Sequence, residues 1–165
     1  MRPILFSSFT ALLAGSATAA PLSTVSSVEV SISPELRKKA TEDLGVEDVE
    51  RLAAELRRDV TRELERTGVL AGGRMELFLT DVRPNRPTFR QLGDQPSLSY
   101  ESYGIGGATI EGQAISVTGE VTPIHFQWYE SDIRQAWTKS TWSDANYAFN
   151  RFAFRYGRGE SYAAR

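Results

Sequence analysis

The sequence predicts an α+β domain: about four strands in a mainly antiparallel sheet, with two main helices packed on one face. Three observations carry this. Apolar and polar residues alternate, fully or in part, over residues 28–32, 75–82, 106–117 and 121–129, the pattern of half-buried strands. Apolar residues recur at steps of three and four over residues 46–64 and 142–156, the pattern of helices with one greasy stripe. The elements follow in the order strand, helix, strand, long loop, strand, turn, strand, helix, so one sheet with both stripes laid across it buries all of them.

The chain starts with an address rather than a fold element. Arg2 is a short positive segment, residues 4–14 are mostly apolar and uncharged, and Ala17-Thr18-Ala19 is a small-x-small cleavage box. This reads as a signal peptide over residues 1–19, cut between Ala19 and Ala20. The apolar run is about half of the ~20 residues a membrane span requires. The expected organisation is then a single α+β domain over residues 20–156 and a flexible C-terminal tail over residues 157–165. The expected location is periplasmic or secreted.

Val28-Glu29-Val30-Ser31-Ile32 has period two and reads as a short strand. Ser33-Pro34 is a helix start: the serine caps free N–H groups, and proline at the first helical position gives up no hydrogen bond. That short helix stops at Gly45. Val46, Val49, Leu52, Ala53, Leu56, Val60 and Leu64 then form one stripe. Glu47/Arg51, Glu55/Arg58, Asp59/Arg62 and Glu63/Arg66 are spaced to pair on its solvent side, each worth ~0.2–0.5 kcal/mol. Gly68 is placed to close this helix in the left-handed conformation.

Residues 75–82 read as the second strand, ended by Pro84 and Pro87, which lack the N–H a ladder needs. Residues 83–103 show neither period and read as a long loop, a length usually associated with function or mobility. The third strand, 106–117, carries Gly112 as a weak point. Thr118-Gly119-Glu120 turns the chain into the fourth, 121–129, where Pro123 marks an edge or a bulge. Thr141-Trp142-Ser143-Asp144 has the spacing of a capping box, with Thr141 as cap. The helix it opens carries Trp142, Ala145, Phe149, Phe152 and Tyr156 on one face and ends at Gly157.

Composition narrows the chemistry. The chain has 19 Lys and Arg against 21 Asp and Glu, a formal charge of -2, one His and no Cys. This balance gives no reason to expect nucleic acid. Without cysteine there is no disulfide, thiolate nucleophile or lipid anchor, and one histidine excludes a His-rich metal site. No cofactor, no metal and no catalytic set is expected. Gly104-Ile105-Gly106-Gly107 fails the dinucleotide spacing, because Thr109 stands where a glycine is required. His125 alternates with Ile124 and Phe126 and so faces away from the core. Asp81, Asp94, Glu101 and Glu111 flank the long loop as conceivable paired carboxylates for a hydrolase, the least favoured reading.

The preferred candidate binding residues are Arg83, Arg86, Arg90 and Trp137. The three arginines fall within eight residues, beside two prolines that stiffen the backbone. Guanidinium groups held this way suit a carboxylate or phosphate, or pin the loop to the domain's own acids. Trp137, Tyr147 and Phe154 lie off the helical stripe and are candidates for stacking on a sugar face.

The run Thr80-Asp81-Val82-Arg83-Pro84-Asn85-Arg86-Pro87-Thr88, then Gly104-Ile105-Gly106-Gly107-Ala108, Trp142-x-x-Ala145 and Phe152-Ala153, resembles a family of short exported bacterial proteins of unknown function. The resemblance spans roughly residues 28–156 and implies export but no catalytic residues. More distantly, the element order is similar to small α/β domains of envelope assembly proteins, which implies protein–protein contact. The resulting expectation is a non-enzymatic periplasmic domain with a possible envelope protein partner, and no membrane span once the signal is removed. The alternative is a small-molecule or glycan binder using the 83–103 loop.

Overall fold

The computed structural model describes residues 24–160 and 162; the signal peptide read at residues 1–19 lies outside them. Four strands, β1 (Ser27–Ile32), β2 (Arg74–Arg83), β3 (Gly107–Ile115) and β4 (Val121–Tyr129), form one sheet in the order β1-β2-β3-β4. β2/β3 and β3/β4 are antiparallel, whereas β1/β2 is parallel. A parallel neighbour requires a crossover, and the two helices between β1 and β2 provide it. The fold is α+β and the sheet is mixed, with two of its three pairings antiparallel.

Each helix start has a local cause. The Ser33 hydroxyl accepts the Leu36 N–H at 3.1 Å and Pro34 opens α1 (Pro34–Lys39). A π-helical turn over Ala40–Leu44 follows and stops at Gly45. α2 (Val46–Thr67) buries Val49, Leu52, Ala53, Leu56, Val60 and Leu64, and closes on left-handed Gly68. Val46, the first residue of the predicted stripe, is instead 38% exposed. Asp59/Arg62 and Glu63/Arg66 pair as their spacing suggests. Arg51 pairs with Asp48 rather than with Glu47.

α4 (Ser143–Tyr156) lies beside α2 on the same face of the sheet. Phe149 and Phe152 are completely buried between them, with Leu56, Val60, Ile110 and Phe126 in the same cluster. Full burial of one such side chain contributes about 1.5–3 kcal/mol, so the paired stripes and the sheet's inner face account for the core.

Three local expectations are corrected. The Thr141 capping box does not form: Trp142 is the cap residue and makes no side-chain cap. Asp144 points into the interior instead, where other partners claim it. Residues 83–103 are not structureless, because α3 (Phe89–Asp94) lies within them. It is held by a capping box, with Thr88 accepting from the Gln91 N–H and Gln91 from the Thr88 N–H. A six-residue helix is too short to show a period, but Thr88-x-x-Gln91 is itself a readable signal. A 3₁₀ turn over Ile133–Thr138, capped by Asp132, was likewise invisible to periodicity. Finally, Gly112 is not a weak point but a close approach: its φ is 151°, and a Cβ there would overlap the Glu76 carbonyl oxygen across the ladder.

Tyr162 stands in the segment read as a flexible tail, yet it is attached to the fold. Its carbonyl accepts the His125 N–H at 2.8 Å, and its ring lies 5.3 Å from Phe126 and 5.7 Å from Phe152. It covers part of the β4 edge, which would otherwise present unpaired backbone groups.

Candidate functional site

Strand register gathers the interesting loops at one end. Arg83 stands opposite Gly107, and Gly107 opposite Tyr129. β1 runs parallel to β2, so its C-terminus points the same way. The segments 84–106 and 130–142 and the starts of α2 and α4 therefore meet there. Gln91 Nε2 donates to Asp43 Oδ2 at 3.0 Å, fastening α3 to the turn before α2.

The frame of this end is a buried polar lock. Asn85 Nδ2 donates to Asp144 Oδ2 at 2.5 Å, and the Asp144 N–H donates back to Asn85 Oδ1 at 2.9 Å. The Gly106 N–H reaches the same Oδ2 at 3.0 Å, and Lys139 Nζ reaches Oδ1 at 2.9 Å. Asp144 is wholly buried and Asn85 is 1% exposed. Burial by itself would raise the Asp144 pKa. The bonds from Asn85, Lys139 and Gly106 outweigh it and hold the carboxyl below the usual range. The Asp144 hydrogen bond holds Lys139 above its ordinary value. Only glycine fits at 106, because a Cβ would stand 2.7 Å from the Arg83 carbonyl oxygen.

The three loop arginines do not converge. Arg86 spans two loops, donating from Nε to the Lys139 carbonyl at 2.8 Å, from Nη1 to that of Tyr100 at 3.0 Å and from Nη2 to that of Trp137. It pins the loops through backbone carbonyls rather than acids. Arg83 lies over the Tyr129 ring at 4.9 Å. Arg90 pairs with Asp94 one turn along α3, at 2.6 Å. Trp137 is 63% exposed, with its carbonyl held by Arg86. Tyr147 and Phe154 are exposed too, but on a separate groove along α2 and α4.

The four loop-flanking acids have no common site. Asp81 accepts from Lys39 Nζ at 2.8 Å and from the Tyr129 hydroxyl at 2.6 Å. Glu111 faces His125 at 3.3 Å on the outer sheet face, and Asp94 belongs to Arg90. Glu101 is exposed in the loop. Tyr129 is pushed up to about 12, first by burial and then by its hydrogen bond to Asp81. Among the described residues, no group of three His, Cys, Asp or Glu side chains is placed to hold a metal. None of their helices is long and apolar enough to cross a membrane.

What sequence reasoning missed is a cleft of about 240 Å³ between α2, the α3 segment and the start of α4. Arg51, Pro87, Phe89, Tyr100, Trp142 and Asn146 line it. Trp142 belongs to the core cluster, as its place on the stripe predicts, and also borders this cleft. Nothing in the local spacing of Asn146 or Tyr100 indicates that they meet. Compared with family models, with curated proteins and with solved structures, the chain finds no match.

Proposed function

We propose that this chain is a non-enzymatic domain of the cell envelope, periplasmic or secreted, that docks a second protein through its loop end. The observation that carries the reading is a set of large apolar side chains left in water on a braced frame. Phe89 is 85% exposed, Trp137 63%, Tyr100 57%, Ile133 54% and Tyr103 51%, all within 84–106 and 130–142. Arg86 binds the carbonyls of Tyr100 and Trp137 at once, so these two loops share one brace. Aromatic residues around an arginine are what protein interfaces enrich. A frame already ordered before contact reduces the entropy lost on docking. The export reading of residues 1–19 supplies the compartment.

The test places a photo-crosslinking residue at Phe89 or at Trp137, one at a time, in the full chain in producing cells. Glu65 on the solvent side of α2 is the control position. The expected result is one covalent adduct with the same envelope protein from both loop positions and none from the control. Absence of adducts at both, or an identical pattern from Glu65, would overturn the proposal.

A further inference from the structure

We infer that the free edge of β1, with the adjoining flank of α2, is the interface through which this chain forms a symmetric dimer with a second copy of itself. The two edges of the sheet differ. β4 carries Pro123, and the Tyr162 carbonyl takes up one of its backbone donors, the His125 N–H. β1 lies at the other edge and lacks the usual protections against strand pairing. Its six residues, Ser27–Ile32, include no proline, glycine or basic side chain and a single acid, Glu29, and all six pair with β2 in unbroken register. Among the described residues, no strand pairs with its outer side. The next N–H along, that of Ser33, bonds to the Leu79 carbonyl of β2 at 3.1 Å. Backbone groups alternate sides along a strand, so the N–H and C=O groups of Val28, Val30 and Ile32 point away from β2, toward the open edge.

A second copy suits this edge better than an unrelated strand, because strand and helix flank are both self-complementary. Antiparallel pairing centred on Val30 sets Val30 against Val30 of the second copy and Val28 against its Ile32. All three outward-facing residues are then used, in about six hydrogen bonds. Val28, Val30 and Ile32 pack on the core yet stay partly exposed, and this register lays β-branched side chains against one another. It also sets Glu29 against Ser31, whereas centring one residue earlier would set Glu29 against Glu29. The two-fold axis stands perpendicular to the sheet, so both copies keep their helices on the same face, with the two α2 helices running in opposite directions. On that flank Ala53 and Ala54 border the same groove as Val30 and Ile32, with Glu50 and Arg57 to either side of them along the helix. Their helix neighbours Arg51 and Arg62 pair within the chain, but Glu50 and Arg57 are exposed and form no ion pair among the described residues. A two-fold axis passing beside Ala53 and Ala54 brings Glu50 of each copy to Arg57 of the other, so charges left single in one chain are matched in two.

The test is sedimentation equilibrium of the chain purified from producing cells, over about 1–500 µM, a range that resolves micromolar dimers. The native chain should show a monomer–dimer equilibrium. Glu50→Arg and Arg57→Glu each turn both attractions into repulsions, and each should raise the dimer Kd about tenfold. Mixing the two variants in equal amounts should restore the dimer, because a flank with two bases then meets a flank with two acids. The double variant should dimerise like the native chain. Hydrogen exchange of the peptide spanning 27–33, followed by mass spectrometry, should slow as the dimer fills. A native chain that stays monomeric across the range overturns the inference. So does a dimer that neither single variant weakens, one that the mixture fails to restore, or one whose formation leaves exchange over 27–33 unchanged. Antiparallel pairing places the two loop ends at opposite ends of the assembly, so crosslinking from Phe89 and Trp137 is read independently and either proposal can fail alone.

Discussion

Asn85 and Asp144, 59 residues apart in the chain, hold each other by two reciprocal hydrogen bonds in the interior. One comes from a proline-flanked loop and the other from the first turn of the last helix. Their bonds to Gly106 and to Lys139 bring in two more segments. The aromatic end of the molecule is thereby built on a buried polar centre, where a missing partner leaves several groups unsatisfied at once.

Removing either member should be strongly destabilising. Asp144→Ala is expected to lose about 3–5 kcal/mol, because it strands the Lys139 ammonium and two N–H donors. Asn85→Ala is expected to lose about 2–3 kcal/mol. In chemical denaturation the double variant should fall short of the sum by more than about 1 kcal/mol, since the two act as one unit. Additive losses would mean that the lock is not cooperative.

The same centre sets an acid limit. Asp144 is held below its ordinary pKa in the folded chain, so the unfolded chain binds its proton more readily. Its contribution is present above the unfolded value of about 3.9. It is lost as pH falls through the lower folded value. Stability measured from pH 6 downward should decline more steeply in the native chain than in Asp144→Asn, which has no charge there to lose. Parallel pH profiles would contradict this.

Tyr129 sets a limit on the alkaline side. Its folded value of about 12 lies above the ordinary 10, so the folded chain holds the phenol proton longer. Stability from this group is complete below pH 10 and falls as pH rises toward 12. An ultraviolet titration should show Tyr156 and Tyr162, which burial also raises, ionising late together with Tyr129. Asp81→Asn should bring Tyr129 to lower pH, because the carboxylate that accepts its proton and repels phenolate is gone.

Arg86 braces carbonyls rather than acids, which makes it sensitive to shape. Arg86→Lys keeps the charge but not the three-way fork. It should lower stability by about 1–2 kcal/mol. Amide exchange should rise across 97–105 and 133–141 while α2 stays protected. Equal exchange in both chains would assign the bracing elsewhere.

Gly112→Ala tests the close approach of β2 and β3. The added methyl would meet the Glu76 carbonyl in a backbone conformation that alanine rarely adopts. A loss of about 3 kcal/mol is expected, from strain and overpacking together. Thermal melting of the variant measures it directly, and an unchanged Tm would rule out the tight contact.

The sequence by itself determined the elements whose cause is local or periodic. The stripe from Val49 to Leu64, the Ser33-Pro34 start, the Gly68 stop and the strands around Leu77, Ile110 and Phe126 follow from repeats of two or of 3.6 residues, or from one cap. From these the α+β class follows, because faces that are apolar must meet. The structure decided what depends on contacts across the chain. Whether Asp144 caps its own helix or turns inward depends on Asn85, Gly106 and Lys139. Whether Arg83, Arg86 and Arg90 act together depends on which carbonyls and rings the folded loops bring to each. The cleft of Trp142 and Asn146 exists because α2, α3 and α4 converge there. Periodicity reports which face of an element is buried; it carries no information about which distant polar group will be waiting on the other side.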